Sequence, residues 1–298
     1  MSKPGFGRAA IIGFGTMGVG LAQLLAQKGY EVRAMDTEKE ALERGRDLLS
    51  KGRFGVDRML KDGKITQEEA KAVIGRIDTG TDLPWALDGA EVVLENVDED
   101  LELKMSLFQR LDESCPKDTV LASDTSSLSM TSIASKTRTP ERVIGMHFFV
   151  PPQVMPLVEV INGVMTSGDT TRRVEELSKE LGKVTITSAD RPGFVVARLS
   201  LRSFVEASLI VEQGIASVKD VDMGAKQGLG YPMGPFELTD LIGLDTRLQI
   251  LDAMFEATGD PDWKPPVLLR QLVESGFLGN PSIKKGSKGG YYEYFGLR

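Results

Sequence analysis

Ala9-Ala10-Ile11-Ile12-Gly13-Phe14-Gly15-Thr16-Met17-Gly18 decides how this chain is read. The first four residues make a short buried strand, a glycine turn follows, and the turn opens a helix reaching about residue 28. Gly13, Gly15 and Gly18 fit the pattern G-x-G-x-x-G in a strand–turn–helix setting. Gly13 allows the tight turn, Gly15 lets a pyrophosphate approach the backbone, and Gly18 lets helix and strand pack closely. Thr16 and Met17 belong to the first helical turn, whose amide donors and positive dipole end attract phosphate. A second strand over residues 31–35 ends at Asp36, where a ribose-binding acid belongs. A carboxylate there accepts from a 2′-hydroxyl and repels a 2′-phosphate, so NAD is favoured over NADP. The glycine loop alone also fits a flavin.

Short apolar runs continue to alternate with amphipathic helices. A long charged helical hairpin is expected over residues 38–75, turning at Lys61-Asp62-Gly63-Lys64. Thr66-Gln67-Glu68-Glu69 supplies a capping pattern for its last helix. Strands are expected at 91–94, 120–122, 143–146, 157–161 and 184–187, with a helix over 170–181. Such alternation makes a doubly wound, mostly parallel α/β sheet of the Rossmann type. After Asp190-Arg191-Pro192-Gly193 the periodicity is helical, over residues 194–213, 218–227, 235–257 and 266–274. The chain therefore divides into a dinucleotide-binding domain, residues 1–189, and an all-helical substrate and dimerisation domain, residues 190–298.

The 298 residues are 41% hydrophobic and 27% charged, ordinary values for globular domains. A net charge of -7 gives no support to nucleic-acid binding. The single cysteine, Cys115, forms no internal disulfide, and no cysteine–histidine cluster calls for a metal. Residues 1–5 run almost directly into a strand without a charged-then-apolar leader, and no apolar run is long enough for a bilayer. A reducing, cytoplasmic setting is expected.

The chain has one histidine, His147, in Gly145-Met146-His147-Phe148-Phe149. Any imidazole chemistry near neutral pH must use it; a half-buried core histidine beside two phenylalanines is the competing reading. Glu159 lies on the next expected strand, among Leu157, Val158, Val160 and Ile161. An acid buried there is costly without a partner, which favours its pairing with His147 to fix the tautomer and raise the basicity of the free nitrogen.

With these motifs in hand, the whole chain resembles the 3-hydroxyacyl-CoA dehydrogenase family, which includes short bacterial 3-hydroxybutyryl-CoA dehydrogenases. The resemblance rests on the glycine loop, Glu95-Asn96-Val97-Asp98-Glu99 followed by Lys104, and Ser123-Asp124-Thr125-Ser126-Ser127-Leu128. It continues through the His147 segment and Leu157-Val158-Glu159-Val160 to Pro192-Gly193-Phe194, Gly230-Tyr231-Pro232-Met233-Gly234-Pro235-Phe236-Glu237-Leu238 and Gly243-Leu244-Asp245-Thr246. It implies NAD-dependent oxidation of a 3-hydroxyacyl-CoA to the 3-ketoacyl-CoA in fatty acid metabolism, by a homodimer with its site in the interdomain cleft. His147 would take the hydroxyl proton, Glu159 would orient it, and Ser126 would contact the reacting oxygen and both ligands. Glu99 and Lys104 would line the cofactor site, with Lys285 approaching from the tail. By their residue types alone, Ser126 equally fits a turn serine, and Lys104 and Lys285 fit surface lysines. For the coenzyme A phosphates, the charged hairpin offers Arg53, Arg58, Lys61 and Lys64, of which Arg53 and Lys61 are carried as candidates.

Three positions depart from the family pattern near the chemistry. Ala197, Val150 and Asp124 stand where it has asparagine. A donor lost from a desolvated site costs ~1–3 kcal/mol, and Ala197 and Val150 make the substrate pocket larger and less polar. A bulky, alicyclic or aromatic acyl group is therefore expected. The alternatives are a dehydrogenase of a non-CoA hydroxy or aldehyde compound on the same fold, and a non-catalytic nucleotide-binding subunit.

Overall fold

The computed structural model describes residues 6–298, so the expectation for residues 1–5 lies outside the described residues. Two compact units divide the chain, the first ending at Arg191 and the second spanning Pro192–Arg298. The division falls two residues after the expected one. Its physical reason is Asp190, whose carboxylate accepts from Ser129 Oγ at 2.7 Å and Thr131 N–H at 2.8 Å in the first unit.

The first unit is built on one sheet of eight strands: β1 (Arg8–Ile12), β2 (Glu31–Met35), β3 (Ile77–Gly80), β4 (Val92–Glu95), β5 (Val120–Ser123), β6 (Val143–Phe148), β7 (Leu157–Asn162) and β8 (Val184–Ala189). They lie in the order β3-β2-β1-β4-β5-β6-β7-β8, and every neighbouring pair is parallel except β6 with β7. The chain order reverses between β1 and β4, the place where doubly wound sheets receive ligands. Helices α1 (Thr16–Gln27), α2 (Lys39–Lys51), α3 (Val56–Lys61), α4 (Gln67–Gly75), α5 (Leu83–Leu87), α6 (Leu101–Ser114), α7 (Met130–Ala134) and α8 (Gly168–Glu180) complete the unit. Strands β1, β4 and β5 are apolar almost throughout and buried, as strands covered on both faces must be.

Strand β3 was not expected. Its Ile77-Asp78-Thr79-Gly80 sequence has no apolar alternation, because an edge strand is only half covered. The expected two-helix hairpin is three helices. Gly52 and Gly55 interrupt it, and Gln23 Nε2 donates to the Phe54 carbonyl between them at 2.8 Å.

The second unit contains α9 (Val196–Glu212), α10 (Val218–Met223), α11 (Pro235–Ile242), α12 (Leu244–Thr258), α13 (Val267–Glu274) and α14 (Tyr291–Tyr294) around a core that includes Phe204, Phe236, Leu251 and Trp263. The single helix expected over 235–257 breaks at Gly243, whose φ of 113° no helical residue adopts. Among the described residues, no helix is long and apolar enough to cross a membrane.

Candidate active site

At the carboxyl ends of β1 and β4 opens a cavity of about 500 Å³, bordered by Gly13, Gly15, Asp36, Arg44, Asn96 and Arg110 among others. The three glycines meet distinct demands. A Cβ on Gly13 would lie 2.5 Å from the Asn96 carbonyl oxygen, and one on Gly18 would lie 1.9 Å from that of Gly13. A Cβ on Gly15 would meet nothing within 4 Å, so that backbone stays open to a ligand. Gly15 caps α1 without a side-chain acceptor, and no acid lies in the first turn. The amides of Thr16 and Met17 thus face no competing carboxylate from their own turn. Asp36 accepts the Phe14 N–H at 2.9 Å, which ties the end of β2 to the glycine loop and keeps its carboxylate on the cavity wall. These residues fit a dinucleotide: open backbone donors for the phosphates and an acid for the ribose.

Beneath the wall lies an ion pair. Lys104 Nζ sits 2.6 Å from Glu95 Oε1, and the two side chains are 1% and 0% exposed. Glu95 also accepts from Ser123 Oγ at 2.6 Å and Val97 N–H at 2.7 Å, and Lys104 donates to the Val97 carbonyl at 3.2 Å. Burial nevertheless pushes the Glu95 carboxyl above its ordinary value, against the pull of Lys104. Lys104, expected to line the cofactor site, is a buried strut that fixes the Glu95 to Val97 turn. Glu99 is a second anchor. Burial works to raise its pKa, but hydrogen bonds from Thr125 and Ser126 and the charge of Lys104 hold it low. Its Oε1 gathers Thr125 Oγ1 at 2.6 Å, Ser126 N–H at 2.9 Å and Ser127 N–H at 3.1 Å. Ser126 is exposed at the tip of this loop, with its hydroxyl 3.2 Å from Glu99.

His147 and Glu159 are directly opposite in the antiparallel register of β6 and β7, so both side chains project from the same face. Nδ1 of His147 lies 2.8 Å from Oε2 of Glu159; the imidazole side chain is 14% exposed and the carboxylate 1%. The bond commits Nδ1 to the carboxylate. Phe149 packs against the imidazole with ring centroids 4.7 Å apart. The connection after β6 is held on two sides. Lys183 Nζ donates to the carbonyls of Pro152 at 2.6 Å and Met155 at 2.8 Å, while Pro152 packs where a Cβ on Gly20 of α1 would collide at 2.5 Å. The connection that follows His147 is thereby seated on α1. Val150 is 67% exposed on this connection.

Asp124 follows β5 and accepts the Phe148 N–H at 2.7 Å. The residue reaches the surface in part, but its carboxyl is deeply set, and burial pushes its pKa well above the ordinary value. Glu95 and Glu99 push the same way, while the Phe148 N–H and Lys104 oppose.

Comparison with known proteins gives this geometry its context. The 3-hydroxyacyl-CoA dehydrogenase NAD binding domain matches residues 8–191, and the C-terminal domain of the same family matches residues 193–292. The chain belongs to the 3-hydroxyacyl-CoA dehydrogenase family. It is 42% identical to a probable 3-hydroxybutyryl-CoA dehydrogenase of Bacillus subtilis, over 95% of this chain and 96% of that protein. It is 39% identical to a 3-hydroxybutyryl-CoA dehydrogenase of Mycobacterium tuberculosis, over 96% and 98% of the two chains. The crystal structure of (S)-3-hydroxybutyryl-CoA dehydrogenase from Ralstonia eutropha superposes with a TM-score of 0.89 at 36% identity, covering 95% of this chain and 98% of that one. The protein is thus an NAD-dependent oxidoreductase of this family.

The remaining expected site residues are each placed within their own unit. Arg53 is exposed over the Phe54 ring, and Lys61 is exposed at the end of α3. Lys285 is exposed in the second unit, where its neighbour Lys284 is bound to Asp245 at 2.8 Å. Ala197 is partly accessible near the start of α9. Arg44 and Arg110, which border the dinucleotide cavity, were missed. Arg44 stands three residues after Ala41 on α2, and both line the cavity. That helical spacing from Asp36 onward was the available signal.

Proposed function

We propose that this enzyme oxidises a 3-hydroxyacyl-CoA to the 3-ketoacyl-CoA, and that the acyl group is bulkier than the four-carbon linear one. The observation that carries the reaction is the 2.8 Å bond between His147 Nδ1 and Glu159 Oε2, on strands of the same sheet whose β1 and β4 ends border the dinucleotide cavity. His147 takes the substrate hydroxyl proton at Nε2. Glu159, buried and opposite, holds the imidazole and offsets the positive charge that protonation creates. Ser126, whose backbone N–H is fixed by Glu99 at 2.9 Å, turns its hydroxyl from Glu99 to donate toward the oxygen that becomes the ketone. When bound, NAD supplies the hydride acceptor. Asp36, Gly15 and the first turn of α1 hold its ribose and phosphates.

The helical unit receives the acyl group in this reading. Support for the bulkier group is the sequence: Ala197 and Val150 lack the amides that the family pattern carries. The helical unit also exposes Leu199 at 69%, Ile215 at 68% and Leu229 at 69%, apolar surface that favours pairing into a homodimer.

The test is steady-state turnover of a thioester panel, from 3-hydroxybutyryl-CoA to cyclic and aromatic 3-hydroxyacyl-CoAs, with NAD and with NADP. NAD-dependent oxidation with higher kcat/KM for the larger acyl groups is expected. A clear preference for the four-carbon substrate would remove the bulky-group reading, and absence of thioester oxidation would remove the reaction itself.

A further inference from the structure

Arg247 on α12 is 3% exposed, yet its guanidinium meets no carboxylate among the described residues. Its Nη2 donates to Ser200 Oγ at 2.7 Å, and its buried Nε has no hydrogen-bond partner among the described residues. The acids of the unit near its helices are committed elsewhere. Asp222 binds the Phe236 and Glu237 amides and the Tyr292 hydroxyl, while Asp240 binds the Tyr291 and Tyr292 amides. Asp245 pairs with Lys284, and Glu237 pairs with Lys226.

A guanidinium is the most persistent cation in a protein; burial lowers this one to about 10, so it stays charged at neutral pH. Holding an uncompensated charge out of water is strongly unfavourable. A buried water could satisfy Nε, but it would not neutralise the charge. The arrangement lacks an anion.

Ser200, the group that Arg247 does reach, is only half buried, and its neighbour Leu199 is 69% exposed. The guanidinium is therefore one side chain from the surface. Ala197 and Ser200 are three residues apart on α9, so they share a face of that helix. Ala197 is the position from which the family's amide is missing. A larger acyl group received at Ala197 runs, one helical turn on, to Ser200 and the guanidinium behind it.

We propose that Arg247, with Ser200, forms a binding site for a carboxylate on the far end of the acyl group, so that the preferred substrate is a dicarboxylic 3-hydroxyacyl-CoA. This rests on the reading of the helical unit as the receiver of the acyl group. A planar guanidinium takes a carboxylate by two parallel hydrogen bonds, using the donors that Ser200 leaves over. Such a site also rejects a methyl end, because the buried charge would again be left alone.

The experiment compares 3-hydroxyadipyl-CoA with 3-hydroxyhexanoyl-CoA, which have the same chain length and differ in the terminal carboxylate. The wild-type enzyme is expected to favour the carboxylate-bearing thioester in kcat/KM by about a hundredfold, and Arg247→Met to abolish that preference. In parallel, adipate is expected to raise the melting temperature of the NAD-loaded wild type but not of Arg247→Met, with 1,6-hexanediol raising neither. If Arg247→Met does not fold, Arg247→Lys keeps the charge without the fork and should show an intermediate preference.

Equal use of both thioesters without protection by adipate would overturn the site and leave the dehydrogenase reading standing. Selective protection by adipate without oxidation of either thioester would do the reverse. If Arg247→Met is monomeric where the wild type is paired, the missing anion belongs to a second copy of the chain and the substrate assignment falls.

Discussion

The Asp124 carboxyl receives the backbone N–H of Phe148, one residue beyond His147, at 2.7 Å. It ties the end of β5 to the segment carrying the His147 imidazole. The groups facing it are Glu95 on β4 and the Glu99 and Lys104 pair near α6, and burial outweighs the one cation among them. The carboxyl is thereby held toward its neutral form. In the unfolded chain it ionises near its ordinary value of 3.8. Above that pH the folded state binds more protons at this group than the unfolded one, so its contribution is fully present in acid and is lost as pH rises through its raised folded value. Asp124→Asn keeps an acceptor for the Phe148 N–H and has no proton to lose. The melting temperature of Asp124→Asn, minus that of the wild type, should therefore increase as pH rises above the ordinary value of 3.8. A difference that does not change with pH would show that Asp124 is an ordinary ionised carboxylate.

Replacing His147 by Gln removes the only imidazole in the chain while keeping side-chain polarity. A general base contributes roughly 10²–10⁴ in rate, so kcat should fall by that factor while NAD affinity, read by fluorescence titration, is little changed. Glu159→Gln is a finer test, because the amide oxygen can still accept from Nδ1 but carries no charge. Its kcat should fall less than that of His147→Gln, since the ring stays oriented and only the compensation of its positive charge is lost.

The pairing of these two residues was legible in the sequence because one histidine and one acid on adjacent apolar strands leave few choices. So was the glycine loop with Asp36, whose spacing is set by backbone geometry. What escaped depends on the third dimension. Lys104 reads as a cofactor-lining or surface residue, since nothing in the order of residues shows that Glu95, nine positions earlier, lies beside it under the strand ends. The solitary burial of Arg247 was invisible for the same reason. A charge without a partner is defined by everything folded around it. Strand β3 escaped because half-covered edge strands carry no alternation, and Gly243 escaped because a broken helix keeps its apolar period on both sides of the break.

Lys104 offers a stability test of the buried strut. Removing one member of a buried ion pair leaves the other uncompensated, at a cost of about 3–5 kcal/mol. Lys104→Met should lower the unfolding free energy by this amount in urea denaturation. Adding Glu95→Gln should recover a large part of it, because the orphaned carboxylate is then gone while the amide oxygen still accepts from Val97 N–H and the amide NH2 can donate to Ser123 Oγ. If the double variant is no more stable than the single one, the strut acts through packing and not through charge.

Ala197→Asn restores the amide that the family pattern carries, and two outcomes follow from the two ways its loss can be understood. If alanine only weakens the site, the added donor improves every substrate by a similar factor, up to roughly 10²–10³ when it stabilises a developing oxyanion. If alanine makes room for a larger acyl group, the added side chain helps short linear thioesters and obstructs bulky ones, so the ratio of their kcat/KM values reverses. The proposal of a bulkier acyl group requires the second outcome. Measuring both ratios in Ala197→Asn and in Ala197→Leu separates the two contributions, because leucine fills the space without supplying a donor. Loss of activity toward large substrates in both variants, with a gain for small ones in Ala197→Asn alone, is the expected pattern.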